Sequence, residues 1–214
     1  MRKMLLGLVF GWCGFAAMAE PVTIAALGDS LTQGYGLAQA DGFVPQLQAW
    51  LDDQGADVRL INAGVSGDTT AGGAARVAWT LTPDVDAMIV ALGGNDMLRG
   101  IDPAEARSNL DTILRTAQQA GVDVLLVGMR APGNFGADYQ AEFDAIYPAL
   151  ARDYGTVFAR DFLAAIIADG RDPSVVRTRM QADGIHPNAT GVALIVHALG
   201  PAVLDLAARA AVKE

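Results

Sequence analysis

Hydrophobic positions follow two alternating patterns along this chain. Short, nearly unbroken apolar runs occupy Val22 to Gly28, Asp57 to Ala63, Val85 to Gly93 and Val122 to Gly128, with a weaker one from Gly155 to Ala159. Runs of that length with little polar alternation read as strands buried on both faces, the signature of a parallel sheet. Between them, apolar residues return every three or four positions. Phe43 to Gln54 places Val44, Leu47, Trp50 and Leu51 on one stripe, and Pro103 to Ala120 does the same with Ala106, Leu110, Ile113, Leu114 and Ala117. Pro103 suits a first helical turn, where its missing N–H is not needed. Asp138 to Tyr154 and Ala189 to Ala211 supply two more helices. Strand and helix alternate throughout, which predicts a doubly wound α/β sandwich with right-handed crossovers. No repeat or long Pro/Gly/Ser linker interrupts the alternation, so residues 20–214 are expected to form one domain.

The first nineteen residues stand apart from this pattern. Arg2 and Lys3 precede an apolar stretch from Met4 to Ala16, and Ala17-Met18-Ala19 fits a small-x-small cleavage site. Residues 1–19 therefore read as a signal peptide, cleaved after Ala19, which places the mature protein in the periplasm or outside the cell. A membrane anchor is the competing reading. The apolar run falls short of the ~20 residues that a spanning helix needs, and it contains Gly7, Gly11 and Gly14. No stable anchor is expected once the leader is removed. Cys13, the only cysteine, lies inside it, and Phe10-Gly11-Trp12 is not the small-residue context of a lipidation site. A chain cleaved at Ala19 has no thiol, which excludes disulfides, thiolate metal sites and a cysteine nucleophile together.

Composition narrows the partners. The chain has 214 residues, 52% of them hydrophobic and 18% charged, enough to bury a substantial core. Its net charge of −9 repels phosphate backbones, so nucleic acid is not an expected partner.

The chemistry-bearing residues follow the predicted strand ends. In an open parallel sheet those ends share one edge, where ligands usually bind. Ser30 comes after the Gly28-Asp29 turn, at the start of a short helical turn broken by Gly34 and Gly36. Alone it reads as a helix N-cap. Ser66 competes as a nucleophile, but Gly64-Val65-Ser66-Gly67 continues with Asp68, so a Gly-x-Ser-x-Gly elbow fails at its fifth position. Of the two histidines, His197 lies inside an apolar helix, whereas His186 sits in a turn three residues after Asp183. That spacing lets Asp183 reach Nδ1 and leaves Nε2 for a serine hydroxyl, giving a triad in the order Ser, Asp, His. Asn95 follows Gly93-Gly94, where a side-chain amide can approach a developing oxyanion, with the Ser30 and Gly67 N–H groups as further donors. Asp68 and Asp96 each precede a helical turn and read as capping or loop-bracing residues.

Gly28-Asp29-Ser30-Leu31, Ser66-Gly67-Asp68-Thr69, Leu92-Gly93-Gly94-Asn95-Asp96 and Asp183-Gly184-Ile185-His186-Pro187-Asn188 together resemble the four motif blocks of the SGNH (GDSL) hydrolase superfamily. The chain is similar to its bacterial periplasmic thioesterase I, lysophospholipase and arylesterase branch from about Val22 to Leu199. The resemblance implies a flavodoxin-like three-layer αβα sandwich, with five parallel strands in the order 2-1-3-4-5 and no cofactor or metal. It implies Ser30 as nucleophile, His186 as base and Asp183 as its orienter, with Ser30, Gly67 and Asn95 forming the oxyanion hole. The implied substrate is a small-molecule acyl ester or thioester, and a carbohydrate O-acetylester is the alternative within the superfamily. A substrate-covering loop is expected at Ala131, Pro132, Gly133, Asn134 and Phe135, where the family's Leu-Pro-Ala-Asn-Tyr-Gly run has become Ala-Pro-Gly-Asn-Phe-Gly. A non-catalytic flavin- or nucleotide-binding module is the alternative of a different class. It lacks the Gly-rich phosphate loops that such modules place after their first strand.

Overall fold

The computed structural model describes residues 20–167 and 172–212; the expected signal peptide, residues 1–19, lies outside them. Five parallel strands form one sheet: β1 (Val22–Gly28), β2 (Val58–Gly64), β3 (Ala87–Ala91), β4 (Asp123–Val127) and β5 (Val157–Ala159). Their spatial order is β2-β1-β3-β4-β5, so the direction of winding reverses between β1 and β3. That reversal opens a crevice at the carboxyl ends of these two strands.

Helices cover both faces. On one side, α2 (Phe43–Asp53) packs against the long C-terminal α9 (Ala189–Ala211), which also touches β1, β3, β4 and β5. On the other, α3 (Thr70–Thr80), α5 (Pro103–Gln119) and α6 (Ala137–Tyr154) pack side by side. Short helices α1 (Ser30–Gln33), α4 (Gly94–Leu98), α7 (Ala164–Ile167) and α8 (Pro173–Arg177) lie in the connections. α9 is long and apolar enough to cross a membrane. Here its apolar face, including Val192, Ile195, Val196, Leu199, Val203 and Leu206, is buried in the core.

The strand expectation holds for β1 and β3, whose central residues are fully enclosed, but not for β2. Most of β2 is only half-buried because it is an edge strand, with β1 as its single sheet neighbour. α3 is a full helix of 11 residues where the sequence implied only a turn. Gly72, Gly73 and four alanines thin out its apolar stripe, and Thr69 supplies the cap that starts it.

One residue of α3 ties the sheet edge together. Arg76 donates from Nη2 to the Gly28 carbonyl (2.9 Å), from Nη1 to the Ala63 carbonyl (2.7 Å) and from Nε to Asp68 (2.7 Å). Its guanidinium thereby links the last turns of β1 and β2 to the loop that follows β2. With the pair only partly exposed, breaking it strands Asp68 and two carbonyls with poor access to water. Arg76→Leu is expected to lower unfolding free energy by about 2–3 kcal/mol, read as a reduced urea midpoint at unchanged m-value.

Candidate active site

Ser30 opens α1 immediately after β1. The Asp29 side chain caps the helix by accepting from Leu31 N–H (3.0 Å), and Gly34 ends it in the left-handed region. The hydroxyl is held at the crevice by this one-turn helix, and the residue is 9% exposed.

His186 arrives from the far end of the chain. Met180 and Pro187 pair as a short antiparallel bridge, and Gln181 N–H donates to the His186 carbonyl (2.7 Å). Asn188 both caps α9 and donates from Nδ2 to the Thr178 and Met180 carbonyls. This closed turn presents His186 Nε2 at 2.9 Å from Ser30 Oγ and Nδ1 at 2.6 Å from Asp183 Oδ2. Asp183 Oδ1 accepts the backbone N–H groups of Ile185 (2.9 Å) and His186 (3.0 Å). The ring hydrogen bond and those two N–H groups hold the Asp183 carboxyl down at about 2. The Tyr35 ring leans on the imidazole with centroids 4.7 Å apart.

Two loops complete the arrangement. Val65 to Asp68 is a tight turn closed by Asp68 N–H to the Val65 carbonyl (3.1 Å), with Gly67 at φ +81° in its third position. Only glycine takes that conformation without strain. Arg99 Nη2 donates to the Gly67 carbonyl at 2.7 Å and holds the turn from outside. Gly93, at φ +116°, caps α4, and a Cβ there would collide with the Tyr147 hydroxyl, which donates to the Leu92 carbonyl (2.9 Å). Asn95, in the first turn of α4, donates from Nδ2 to Asp29 Oδ2 at 3.2 Å. Asp96 braces the same region, accepting both the backbone N–H (2.8 Å) and the hydroxyl of Thr70. Asp68 and Asp96 are loop braces as expected, although Asp96 lies inside α4 and not before it.

Ser30, Gly67, Asn95 and His186 line one cleft of about 500 Å³, with Asp183 behind the histidine. Its remaining walls are mostly apolar: Leu31, Tyr35, Met97, Leu98, Met129, Leu163, Met180 and Ile185. A hydroxyl bonded to an imidazole that is itself oriented by a carboxylate can be deprotonated as it attacks a carbonyl. Backbone N–H groups and an amide at the same edge can meet the charge that this attack creates. Among the described residues no cluster of three or more His, Cys, Asp or Glu is placed to hold a metal ion.

Of the expected covering loop, none of Ala131, Pro132, Gly133, Asn134 or Phe135 is among the residues that line this cleft. Ala131 is 2% exposed and pinned to α6, donating its N–H to Asp144 (2.9 Å) and accepting from Gln140 Nε2 (2.7 Å). Phe135 stacks on Tyr139, which stacks on Phe143, so its apolar face is spent along α6. The β4 connection contributes Met129 instead. Sequence reasoning also missed Asp29 and Arg76 as supports. A carboxylate wedged between an apolar strand and a helix start, and a lone cation in a helix of small residues, were the signals available. His197 is exposed, its ring edge-on to Trp50 at 6.5 Å, and is remote from the cleft lining.

Comparison with known proteins agrees with this geometry. Residues 26–194 match the GDSL-like Lipase/Acylhydrolase family. The chain is 38% identical to Esterase TesA of Pseudomonas aeruginosa over 87% of its length and 90% of that protein's. It is 34% identical to Thioesterase 1/protease 1/lysophospholipase L1 of Escherichia coli K12, covering 81% of this chain and 78% of that one. Among solved structures, AlinE4, a SGNH-hydrolase family esterase, superposes with a TM-score of 0.71 at 46% identity, over 88% of this chain and 98% of its own.

The depressed Asp183 carboxyl has a pH consequence. A carboxyl held below its ordinary 3.8 stays ionised to lower pH, so its contacts persist there and are lost only as pH falls toward about 2. The amide proton shifts of Ile185 and His186 are therefore expected to titrate with a midpoint near 2. An NMR titration giving a midpoint at an unperturbed aspartate value would show that the carboxylate does not hold this turn in solution.

Proposed function

As a member of the GDSL-like Lipase/Acylhydrolase family, to which this chain belongs, the protein is a carboxylic ester hydrolase, and we propose that Ser30 is its nucleophile. The observation that carries the reading is the continuous chain Ser30 Oγ–His186 Nε2, His186 Nδ1–Asp183 Oδ2, opening into an apolar cleft. Ser30 Oγ attacks the acyl carbonyl as its proton passes to His186 Nε2. Asp183 keeps the imidazole in the tautomer with Nδ1 protonated and stabilises the cation that forms. Ser30 N–H, Gly67 N–H and the Asn95 amide take the negative charge of the tetrahedral intermediate. His186 then returns the proton to the departing alcohol or thiol, leaving an acyl-Ser30. Water activated by the same imidazole attacks this acyl-enzyme, and collapse of the second intermediate frees the acid and the serine.

The chain hydrolyses esters and thioesters, and the cleft walls support short to medium acyl chains as its substrates. Met97, Met129 and Met180 are flexible thioethers that fit chains of different length. An O-acetylated sugar would bring several hydroxyls against this apolar lining, so the carbohydrate esterase reading is disfavoured. The flavin- or nucleotide-binding alternative gives way to the family assignment. Export behind a signal peptide ending at Ala19 is part of the same proposal, supported by the charged-apolar-small order of residues 1–19.

Ser30→Ala is expected to cut kcat for p-nitrophenyl butyrate by about 10⁴-fold or more while leaving the melting transition unchanged. A phosphonate ester should add one covalent adduct, located on Ser30 by mass spectrometry, and none in the variant. Adduct formation on another serine would move the nucleophile. For chain length, each methylene buried in the cleft stabilises binding by ~0.8 kcal/mol, about fourfold. kcat/KM should therefore climb from acetate to hexanoate, and Leu98→Ser at the cleft wall should flatten the climb. An identical profile in the variant would exclude Leu98 from the acyl site.

A further inference from the structure

Asp29 does more than its place at the start of α1 demands. Capping uses one oxygen, Oδ1, to accept from Leu31 N–H, and an asparagine or serine would serve there equally well. The residue is nevertheless a carboxylate at 3% exposure, a costly group to enclose. Its second oxygen, Oδ2, accepts from Asn95 Nδ2 at 3.2 Å, and α4 approaches it closely at Gly94.

We propose that Asp29 is the positioning residue of the oxyanion site: its ionised carboxylate fixes the Asn95 amide so that the second Nδ2 proton faces the substrate carbonyl oxygen. The proposal rests on the reading of Ser30 as nucleophile and Asn95 as oxyanion donor. An amide has two nearly isosteric ends, and a half-turn about its last bond exchanges a donor for an acceptor. A carboxylate can only accept, so it selects the end that carries hydrogen. Protonation reverses the preference. With Oδ1 committed to Leu31, the added proton sits on Oδ2 and donates, which favours the amide turned to present Oδ1 to Asp29. The donor that should meet the oxyanion is then misdirected.

Burial pushes the Asp29 carboxyl up to about 6, against the Leu31 N–H, the Asn95 amide and His186, which pull it down. The other charged or titratable groups facing it are held by their own partners. Asp68, which raises it, is paired with Arg76; Asp96 is bound to Thr70; and the Tyr147 hydroxyl donates to the Leu92 carbonyl, with its own ionisation pushed well up by burial. Hydrolysis thus requires two deprotonated groups, His186 and Asp29. The folded-state pKa lies above the unfolded one, so the folded protein binds this proton more tightly, and stability declines as pH rises from about 4 through about 6. Asp29→Asn removes that decline, and the variant should be no less stable than the parent at pH 7.

The test is a double-mutant cycle on the mature enzyme, with kcat and KM read separately. In Asp29→Asn, Oδ1 still caps Leu31 and the new Nδ2 faces Asn95, reproducing the protonated state at every pH. We expect kcat for p-nitrophenyl butyrate at pH 8 to fall by about 10²-fold with KM changed much less. Asn95→Ala should lower kcat by ~10²–10³, and Asp29→Asn/Asn95→Ala should stay within about threefold of Asn95→Ala alone, since the carboxylate then has nothing to orient. Multiplicative losses or an undiminished kcat in Asp29→Asn would each overturn the proposal. Asp29→Ser, which also keeps a cap for Leu31 and lacks the carboxylate, decides the matter in the same way if Asp29→Asn misfolds. Full activity in Asn95→Ala or Ser30→Ala would strike the underlying reading instead.

Discussion

Ser30 at the end of β1 and the loops carrying Gly67 and Asn95 after β2 and β3 meet only if three strand ends are held level. The Arg76 guanidinium does this for the first two. It binds the Gly28 carbonyl, the Ala63 carbonyl and the Asp68 carboxylate at once, from a helix on the face away from α9. Gly28 is two residues before Ser30, and Asp68 follows Gly67 directly. A planar fork with five donors suits three acceptors at fixed angles, which a lysine ammonium would satisfy less exactingly. Asp96 performs the matching task between β3 and α3 through its two bonds to Thr70. α3 is thereby the brace from which both loops of the site hang, although it contributes no side chain to the cleft lining.

The fold was largely legible because a parallel sheet writes itself as short apolar runs, and its helices as stripes. Winding order and the crevice at the β1–β3 reversal followed once the motif blocks were matched in sequence. What escaped detection has physical reasons. β2 reads as a buried strand because Val58, Leu60 and Ile61 are apolar, yet composition does not reveal that a strand lies at the edge. α3 hid because glycines and alanines carry little periodic signal. The chain positions of Ser30, Gly67, Asn95, Asp183 and His186 stood out through spacing against glycine and proline, residues that mark tight turns. The cleft walls did not, since Met97, Met129, and the pair Met180 and Ile185 come from three separate segments and no local pattern joins them. Phe135 shows the limit from the other side: an apolar residue near a strand end reads as a site residue, and the sequence does not show that it stacks along α6.

Two carboxylates in this site are driven in opposite directions by what surrounds them. Asp183 is half open to water and receives three hydrogen bonds, so its charge is stabilised and persists into strong acid. Asp29 is enclosed beside strand ends and receives two, too few to offset desolvation. The contrast fits the tasks proposed for them. An orienter of an imidazole that becomes cationic must remain charged whenever the imidazole is. A group that selects one end of an amide needs charge only while the enzyme works, and its high cost of ionisation is the penalty for a dry oxyanion site.

That dryness connects the polar and apolar halves of the cleft. Hydrogen bonds to a developing oxyanion gain strength where water is excluded. Side chains that exclude water, among them Leu31, Met129 and Leu163, are also the surface on which an acyl chain rests. Tyr35, Leu98 and Ile185 continue this surface outward and are about half exposed at the rim. An acyl chain lying across them would cover apolar area that the free protein leaves in water, and would close the cleft over Ser30 as it did so. Acyl binding and oxyanion stabilisation are then not separate contributions. A longer chain that displaces more water should strengthen the hydrogen bonds at the carbonyl, so chain length would act on kcat as well as on KM.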